Sequence, residues 1–131
     1  MIVDSSALIA ILTLEPGRER YSQHLSAFPG ARMGAPNWLE TAMVVEGRSH
    51  ELAIRRLQDL FDRGFLSLIA FGPDHSSIAR EAFRRYGRGR HPAALNFGDC
   101  MAYAVARVAG ESPLYEGDDF SQTDIASALD D

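Results

Sequence analysis

Asp4, Glu40, Asp99 and the adjacent Asp118 and Asp119 each stand where a carboxylate needs an explanation. Asp4 closes a short apolar run, Met1-Ile2-Val3, that reads as a strand, and it opens a helix. Glu40 interrupts an otherwise apolar helix containing Trp38, Leu39, Ala42, Met43, Val44 and Val45. Asp99 follows Asn96-Phe97-Gly98 at the head of another helix, and the Asp118-Asp119 pair comes after a strand-like run, Pro113-Leu114-Tyr115. If the strands are parallel, Asp4 and that pair emerge at the same edge of the sheet, where open α/β folds hold their ligands. Carboxylates gathered there repel one another unless a hard cation neutralises them. An all-oxygen donor set of this kind selects magnesium or manganese.

Each acid also has an ordinary structural use. Asp4 can cap the helix it opens by accepting a bond from the amide of Ser6 or Ala7. Asp99 stands three residues past Asn96, a cap candidate, where a carboxylate gains from the helix dipole whatever its role. Gly117-Asp118-Asp119 suits a turn, and Asp can cap a following helix. Glu40 is harder to place. A helix apolar on most sides is a buried one, and burying an unpaired carboxylate costs roughly several kcal/mol unless it is paired, protonated or held on a metal. An arginine partner is its structural alternative. The joint placement of the acids, rather than any one of them, points to a metal site.

The elements that must position these residues alternate between strand and helix. After the first strand, Ala7, Leu8, Ile11 and Leu12 recur at helical spacing, which predicts a helix to about Leu14 broken by Pro16-Gly17. Arg18 to Ala27 reads as a second helix with Tyr21, Leu25 and Phe28 on one side. Arg32 to Gly34 is a brief strand, and Pro36 suits the first turn of a helix running to about Arg48. Glu51 to Arg63 is amphipathic, with Leu52, Leu57, Leu60 and Phe61 facing inward. Phe65 to Ala70 is a strand by composition, Pro73 to Tyr86 a helix, and Gly87 to Ala94 a loop. Asn96 caps an apolar helix to about Ala109, stopped by Gly110. Pro113 to Tyr115 and a short helix near Ser121 to Ala128 complete the chain. Such alternation predicts an α/β fold with a short, mostly parallel sheet covered by helices on both faces.

Composition narrows the function. The 131 residues fit one domain spanning the whole chain, and hydrophobic and charged fractions of 46% and 24% are those of an ordinary globular protein. A single cysteine, Cys100, excludes an internal disulfide. With a strand starting at Met1 and apolar runs about half the length a bilayer requires, neither a signal peptide nor a membrane span is expected, and the location expected is the cytoplasm. The net charge of −5 argues against wrapping nucleic acid by bulk attraction. All thirteen basic residues are arginine, so lysine-dependent chemistry such as a Walker loop or a Schiff base has no residue to carry it.

A local basic segment remains. Arg80, Arg84, Arg85, Arg88 and Arg90, interleaved with Tyr86, Gly87, Gly89 and His91, lie just ahead of Asp99. Arg84, Arg85, Arg88 and Arg90 could grip phosphates while an aromatic stacks a splayed base, or they could form only a solvated helix face. Arg55, Arg56 and Arg63 read as surface charge. His24, His50, His75 and His91 are scattered, without cysteine partners at zinc spacing, and read as surface residues. Cys100, in an apolar helix, reads as inert core.

Four stretches carry a resemblance: Ile-Val-Asp-Ser-Ser-Ala-Leu at 2–8, Asn-Trp-Leu-Glu at 37–40, Leu-Asn-Phe-Gly-Asp-Cys-Met-Ala-Tyr at 95–103 and Gly-Asp-Asp-Phe-Ser-Gln-Thr-Asp at 117–124. In order and spacing the chain resembles a PIN domain, specifically a VapC-type toxin ribonuclease, over essentially its whole length. The resemblance implies a three-layer α/β/α sandwich and an endoribonuclease dependent on Mg²⁺ or Mn²⁺. By position, Asp4, Glu40 and Asp99 match the central carboxylates, and Ser6 matches the hydroxyl residue supporting Asp4. Asp119 is the match for the fourth acid, with Asp118 and Asp124 as alternatives and Asp118 as a candidate metal ligand. Asn96 is the expected support of Asp99. The resemblance further implies inhibition by a VapB-type antitoxin, a homodimer, and DNA contact only through the antitoxin. A catalytically silent PIN-like module that binds RNA or protein is the alternative reading. Exposed apolar surface on the first four helices would suit either a second copy or an antitoxin segment.

Overall fold

Local signals set where most elements begin and end. The Asp4 carboxylate accepts from the Ser6 amide at 3.0 Å and so starts a helix directly after the first strand. Asn96 and Asp99 exchange side-chain-to-backbone bonds of 2.8 and 3.0 Å at the start of another helix, which Gly110 ends in the left-handed conformation at φ 68°. His75 accepts from the Gly72 amide at 3.0 Å and His50 from the Ala53 amide at 3.1 Å, each at the start of its own helix.

The computed structural model describes residues 1–130. In chain order the elements are β1 (Ile2–Val3), α1 (Ser5–Leu12), α2 (Arg18–Ala27), β2 (Ala31–Gly34), α3 (Ala35–Gly47), α4 (Glu51–Asp62), β3 (Leu66–Ile69), α5 (Pro73–Tyr86), α6 (Phe97–Ala109) and β4 (Pro113–Leu114). Two 3₁₀ turns, Phe120–Gln122 and Ala128–Asp130, follow. Every strand pairing is parallel and the order is β3-β2-β1-β4, with Ile2 opposite Arg32 and Pro113, and Ala31 opposite Leu66. The chain steps outward from β1 to β2 to β3 and then returns to the far side of β1. With right-handed crossovers, α1 to α4 cover one face and α5 and α6 the other, the three-layer sandwich expected. The reversal of strand order falls between β1 and β4, where such sheets open a crevice at the carboxyl ends of the strands.

The core divides along the same layers. Leu8, Leu12, Tyr21, Leu25, Met33, Val45, Leu57 and Leu66 fill the space under α1 to α4. Tyr86, Leu95, Tyr103, Tyr115 and Phe120 pack beside α5 and α6. Val105 of α6 seats on Ile2, and it presses on the end of β2. A Cβ at Gly34 would stand 2.8 Å from Val105 Cγ2 and 3.3 Å from Asn37 Oδ1, so the sheet and α6 meet there at a distance that only glycine allows.

The differences from the sequence reading have local causes. The first helix stops at Leu12, because Leu14 turns left-handed at φ 58° ahead of Pro16 and lets the Glu15 amide close back onto the Ala10 carbonyl at 3.0 Å. The tail expected to be helical forms two 3₁₀ turns instead. Its Thr123 hydroxyl bonds the Phe120 carbonyl at 2.7 Å and takes the Ile125 amide at 3.2 Å, drawing backbone groups away from a helical ladder. Leu52, expected to face inward, is exposed, the inner face of α4 being Ala53 and Leu57, and Phe28 does not share the burial of Tyr21 and Leu25. The histidines are not simply surface residues: His75 is buried, and the Nδ1 atoms of His50, His75 and His91 each accept a backbone amide.

Gly34→Ala should lower the unfolding free energy by about 1–3 kcal/mol, the usual cost of forcing atoms into a closed contact. Urea unfolding checks this: the transition midpoint should fall with its slope unchanged.

Candidate metal centre

Asp4 leaves the carboxyl end of β1 and is only 3% exposed. One of its oxygens accepts from both the amide and the hydroxyl of Ser6, at 3.0 and 2.5 Å. The Ser6 oxygen in turn accepts from the Glu116 amide at 3.0 Å, which ties the start of α1 across the crevice to the segment after β4. Asp99 lies in the first turn of α6, half-buried, with one oxygen engaged by the Asn96 amide. Glu40 sits in the second turn of α3 with its carboxylate against Gly98. A Cβ on Gly98 would come within 2.5 Å of Glu40 Oε2, so the absence of a side chain there is what lets the glutamate reach α6. Among the described residues Glu40 makes no hydrogen bond or ion pair, and the arginine partner that would have explained it structurally is not there.

The surroundings of Glu40 differ from the sequence reading. Its helix is not enclosed: Leu39 and Met43 are 53% and 64% exposed, and Glu40 itself is half-buried. The buried face of α3 is made by Asn37, Thr41 and Val45, so Glu40 stands at the rim of the crevice rather than in the core.

Electrostatics ties the acids together. Burial, then repulsion from Asp99 and Glu40, pushes the Asp4 carboxyl up to about 6 despite the two bonds from Ser6. Burial, then repulsion from Asp119 and Glu40, pushes Asp99 up to about 6 as well, with Arg88 acting in the opposite sense. The two adjacent aspartates thereby separate. Asp119 acts on Asp99, whereas Asp118 acts with Asp130 on the Tyr115 phenol, which burial already raises. Asp124, the other alternative, is occupied elsewhere. It accepts from the Tyr103 hydroxyl at 2.7 Å and from Arg107, and Arg85 lies 3.7 Å away. Burial opposes ionisation of Asp124, but the Tyr103 bond and the two arginines hold it below the usual carboxylate range.

Of the four arginines named from sequence, Arg88 acts on Asp99. Arg85 is committed to Asp124 and to the Tyr86 hydroxyl, Arg84 pairs with Glu81 at 3.7 Å, and Arg90 lies over the Phe83 ring. Cys100, beside Asp99, is a buried thiol pushed up to about 11 by burial and then by Asp99, which makes it inert core.

Among the described residues no three His, Cys, Asp or Glu side chains already converge as a finished cage. The donor set fits a hard divalent ion: it is all oxygen, burial and mutual repulsion hold Asp4 and Asp99 above the usual carboxylate range, and among the described residues the Glu40 carboxylate has no partner. Asn37 and Gly98 fall within the stretches that carry the resemblance, but sequence reasoning gave neither of them a role. Asn37 follows Pro36 and looks like an ordinary helix start, and Gly98 carries no side chain to signal its part.

A three-layer fold with acidic residues at the carboxyl edge of a parallel sheet defines a class of metal-binding α/β domains. The chain belongs to the PIN domain family, whose model matches residues 1–126. It is similar to ribonuclease VapC30 of Mycobacterium tuberculosis, with 42% identity over 127 residues covering 97% of both chains. The fold matches the crystal structure of Mycobacterium tuberculosis VapC20, described as a Sarcin-Ricin loop cleaving toxin, with a TM-score of 0.78 at 17% identity over 97% of each chain. A chain in a toxin-antitoxin complex from Klebsiella pneumoniae matches with a TM-score of 0.71 at 17% identity, over 94% of this chain and 92% of that one.

The raised Asp4 carboxyl has a sign that can be tested. Its folded value of about 6 exceeds the ordinary 3.8, so its share of metal-free stability is fully present below about pH 3.8 and lost as pH rises through 6. Asp4→Asn keeps a capping oxygen and removes the charge, which is worth at most roughly 3 kcal/mol at neutral pH. In metal-free buffer the variant should melt several degrees above the wild type at pH 7.5, with the gap closing towards pH 4. Equal melting temperatures across that range would refute a buried, disfavoured charge at Asp4.

Proposed function

We propose that this protein is a divalent-metal-dependent endoribonuclease, the toxin of a VapBC-type toxin–antitoxin pair. The observation that carries the reading is the coupling of Asp4, Glu40, Asp99 and Asp119 at the crevice of a PIN fold whose relative at 42% identity is a VapC ribonuclease.

Asp4, Glu40 and Asp99 would hold the ion, with Asp119 as the fourth acid, and an all-oxygen set of this charge suits Mg²⁺ or Mn²⁺. When bound, such an ion supplies Lewis acidity and a lowered pKa for water at the scissile phosphate. The chain's own residues do the rest. Ser6 and the first amides of α1 fix the Asp4 carboxylate, and Asn96 fixes that of Asp99, so both acids are presented in one orientation. Arg88 offsets the repulsion that four acids exert on an incoming phosphodiester, with Arg84 and Arg90 exposed on the same segment. Attack by water in line with the leaving oxygen leaves a 5′-phosphate and a 3′-hydroxyl.

The partners follow from surface chemistry. Leu14, Leu52 and Phe65 are exposed apolar side chains on or beside α1, α4 and β3. A VapB-type antitoxin covering apolar surface of this kind inhibits the enzyme, and the match to a chain from a toxin–antitoxin complex supports that assignment. The protein acts as a homodimer in the cytoplasm and meets DNA only through the antitoxin. None of the described helices is long and apolar enough to cross a membrane.

Purified, antitoxin-free protein incubated with total RNA should give discrete fragments with Mg²⁺ or Mn²⁺ and none after EDTA. Asp4→Asn and Asp99→Asn should each lower the rate by about 100-fold or more, since the ion's stabilisation of the transition state is worth several kcal/mol. Arg88→Ala should weaken cleavage mainly through KM and flatten its salt dependence. RNA binding without cleavage, indifferent to chelator and to both aspartate changes, would instead identify a silent binding module.

A further inference from the structure

We infer that Asn37 is a positioning residue that sets the mutual placement of Asp4, Glu40 and Asp99; the inference rests on the function proposed above. Asn37 is 1% exposed at the start of α3, three residues before Glu40 and thus one turn below it. Its Nδ2 donates to the Gly98 carbonyl at 3.1 Å, and Gly98 directly precedes Asp99 on α6. The same nitrogen donates to the Ser5 hydroxyl at 3.4 Å, and Ser5 directly follows Asp4 on α1. Ser5 Oγ answers by donating to the Asn37 carbonyl at 3.2 Å, which also takes the Thr41 hydroxyl at 2.9 Å. One amide therefore ties together the three helices that carry the acids, and on α1 and α6 it does so at the residue next to the acid. Glu40 completes the arrangement by resting on Gly98, the residue whose carbonyl Asn37 holds.

The two ends of the Asn37 amide are not equivalent. Asn37 Oδ1 is buried and meets no donor among the described residues. The orientation is nevertheless determined, since turning the amide over would set its oxygen against the Gly98 carbonyl. Apolar packing is non-directional and tolerates sliding, whereas two hydrogen bonds from one planar amide fix both direction and separation. The charge repulsion among Asp4, Glu40 and Asp99 pushes α1, α3 and α6 apart at their acid-bearing turns, and the Asn37 bonds act at those turns.

The test compares Asn37→Ala and Asn37→Ser with Val45→Ala, a control that removes buried methyl groups from the same helix. Mn²⁺ is titrated by the emission of Trp38, the one tryptophan of the chain, and cleavage is resolved into kcat and KM. Asn37→Ala should weaken Mn²⁺ binding by about 10-fold and lower kcat by about 10- to 100-fold, the range for residues that orient ligands, with KM for RNA held within about twofold. Asn37→Ser, which keeps one donor, should fall between it and the wild type, and Val45→Ala should bind Mn²⁺ within about twofold of the wild type. If Asn37→Ala does not fold, the Ser variant decides. Wild-type Mn²⁺ affinity in a folded Asn37 variant, or an equal loss in Val45→Ala, would overturn the inference. A metal-free double-mutant cycle of Asn37→Ala with Ser5→Ala tests the tie whether or not the chain is a nuclease. Coupling of at least about threefold in the unfolding constant supports it and additivity rejects it.

Discussion

The carboxylate of Asp4 sits at the junction of β1 and α1 with almost no access to water, and no arginine among the described residues pairs with it. A buried anion without a counter-ion costs several kcal/mol on the order-of-magnitude scale for such groups. The chain offsets part of that with what the junction provides: the Ser6 amide, the Ser6 hydroxyl and the positive end of α1. What remains unbalanced is visible in the upward displacement of the Asp4 carboxyl, to which Asp99 and Glu40 add. The rest of the site is organised around this imbalance. Two further acids are brought close enough to make it worse, and every element that brings them is secured by polar bonds strong enough to resist the repulsion.

The arginines show the same division between periphery and centre. Arg32 holds Glu111 at 2.8 Å, and Arg85 and Arg107 converge on Asp124 together with the Tyr103 hydroxyl. These pairs are partly exposed, and exposed ion pairs add little to stability. Their effect is positional, because the Asp124 group ties the segment after β4 to α5 and α6. Among the described residues no such pair involves Asp4, Glu40 or Asp99, and Arg88 acts on Asp99. A centre neutralised by the chain's own cations would have no reason to take up a metal. The net charge of −5 is thus compatible with an anionic substrate only if a bound ion and the short arginine segment reverse the local sign.

Much of this was legible in the sequence, for reasons that are local. A strand of three residues ending in Asp, an Asn-x-x-Asp cap, a proline in a first turn and a glycine after a last one each describe geometry within a few residues, and the structure bears out those elements. The parallel sheet followed from their alternation. What was not legible depends on tertiary contact. The exposure of Leu39 and Met43 follows from α3 turning a narrow face, Asn37, Thr41 and Val45, to the core, which apolar content alone does not show. The different surroundings of Asp118 and Asp119 depend on how a loop crosses the ends of β1 and β4. The role of Asn37 was not legible, although the residue opens one of the matching stretches, because a polar residue in a first turn is normally a solvated one and nothing in its neighbours reveals that two other helices arrive there.

Close approach of the backbone is what makes so small a site possible. Three of the acids stand on regular elements within one or two turns of the sheet, and helices hold a side chain more firmly than loops do. Bringing α3 and α6 near enough for Glu40 and Asp99 to feel each other leaves no room for a side chain at Gly98, and seating α6 on the sheet leaves none at Gly34. Two positions without a Cβ therefore fix how near the helices come, and the Asn37 amide fixes how they are aligned once there. Asp119 is the exception, carried on the segment between β4 and the Phe120–Gln122 turn. Its approach to Asp99 depends on anchors on either side: the Ser6 bond to Glu116 before it, and buried Phe120 and the Asp124 ion pairs after it. A fourth acid held by its flanks, beside three held at helices, is the member of the set least constrained by regular structure.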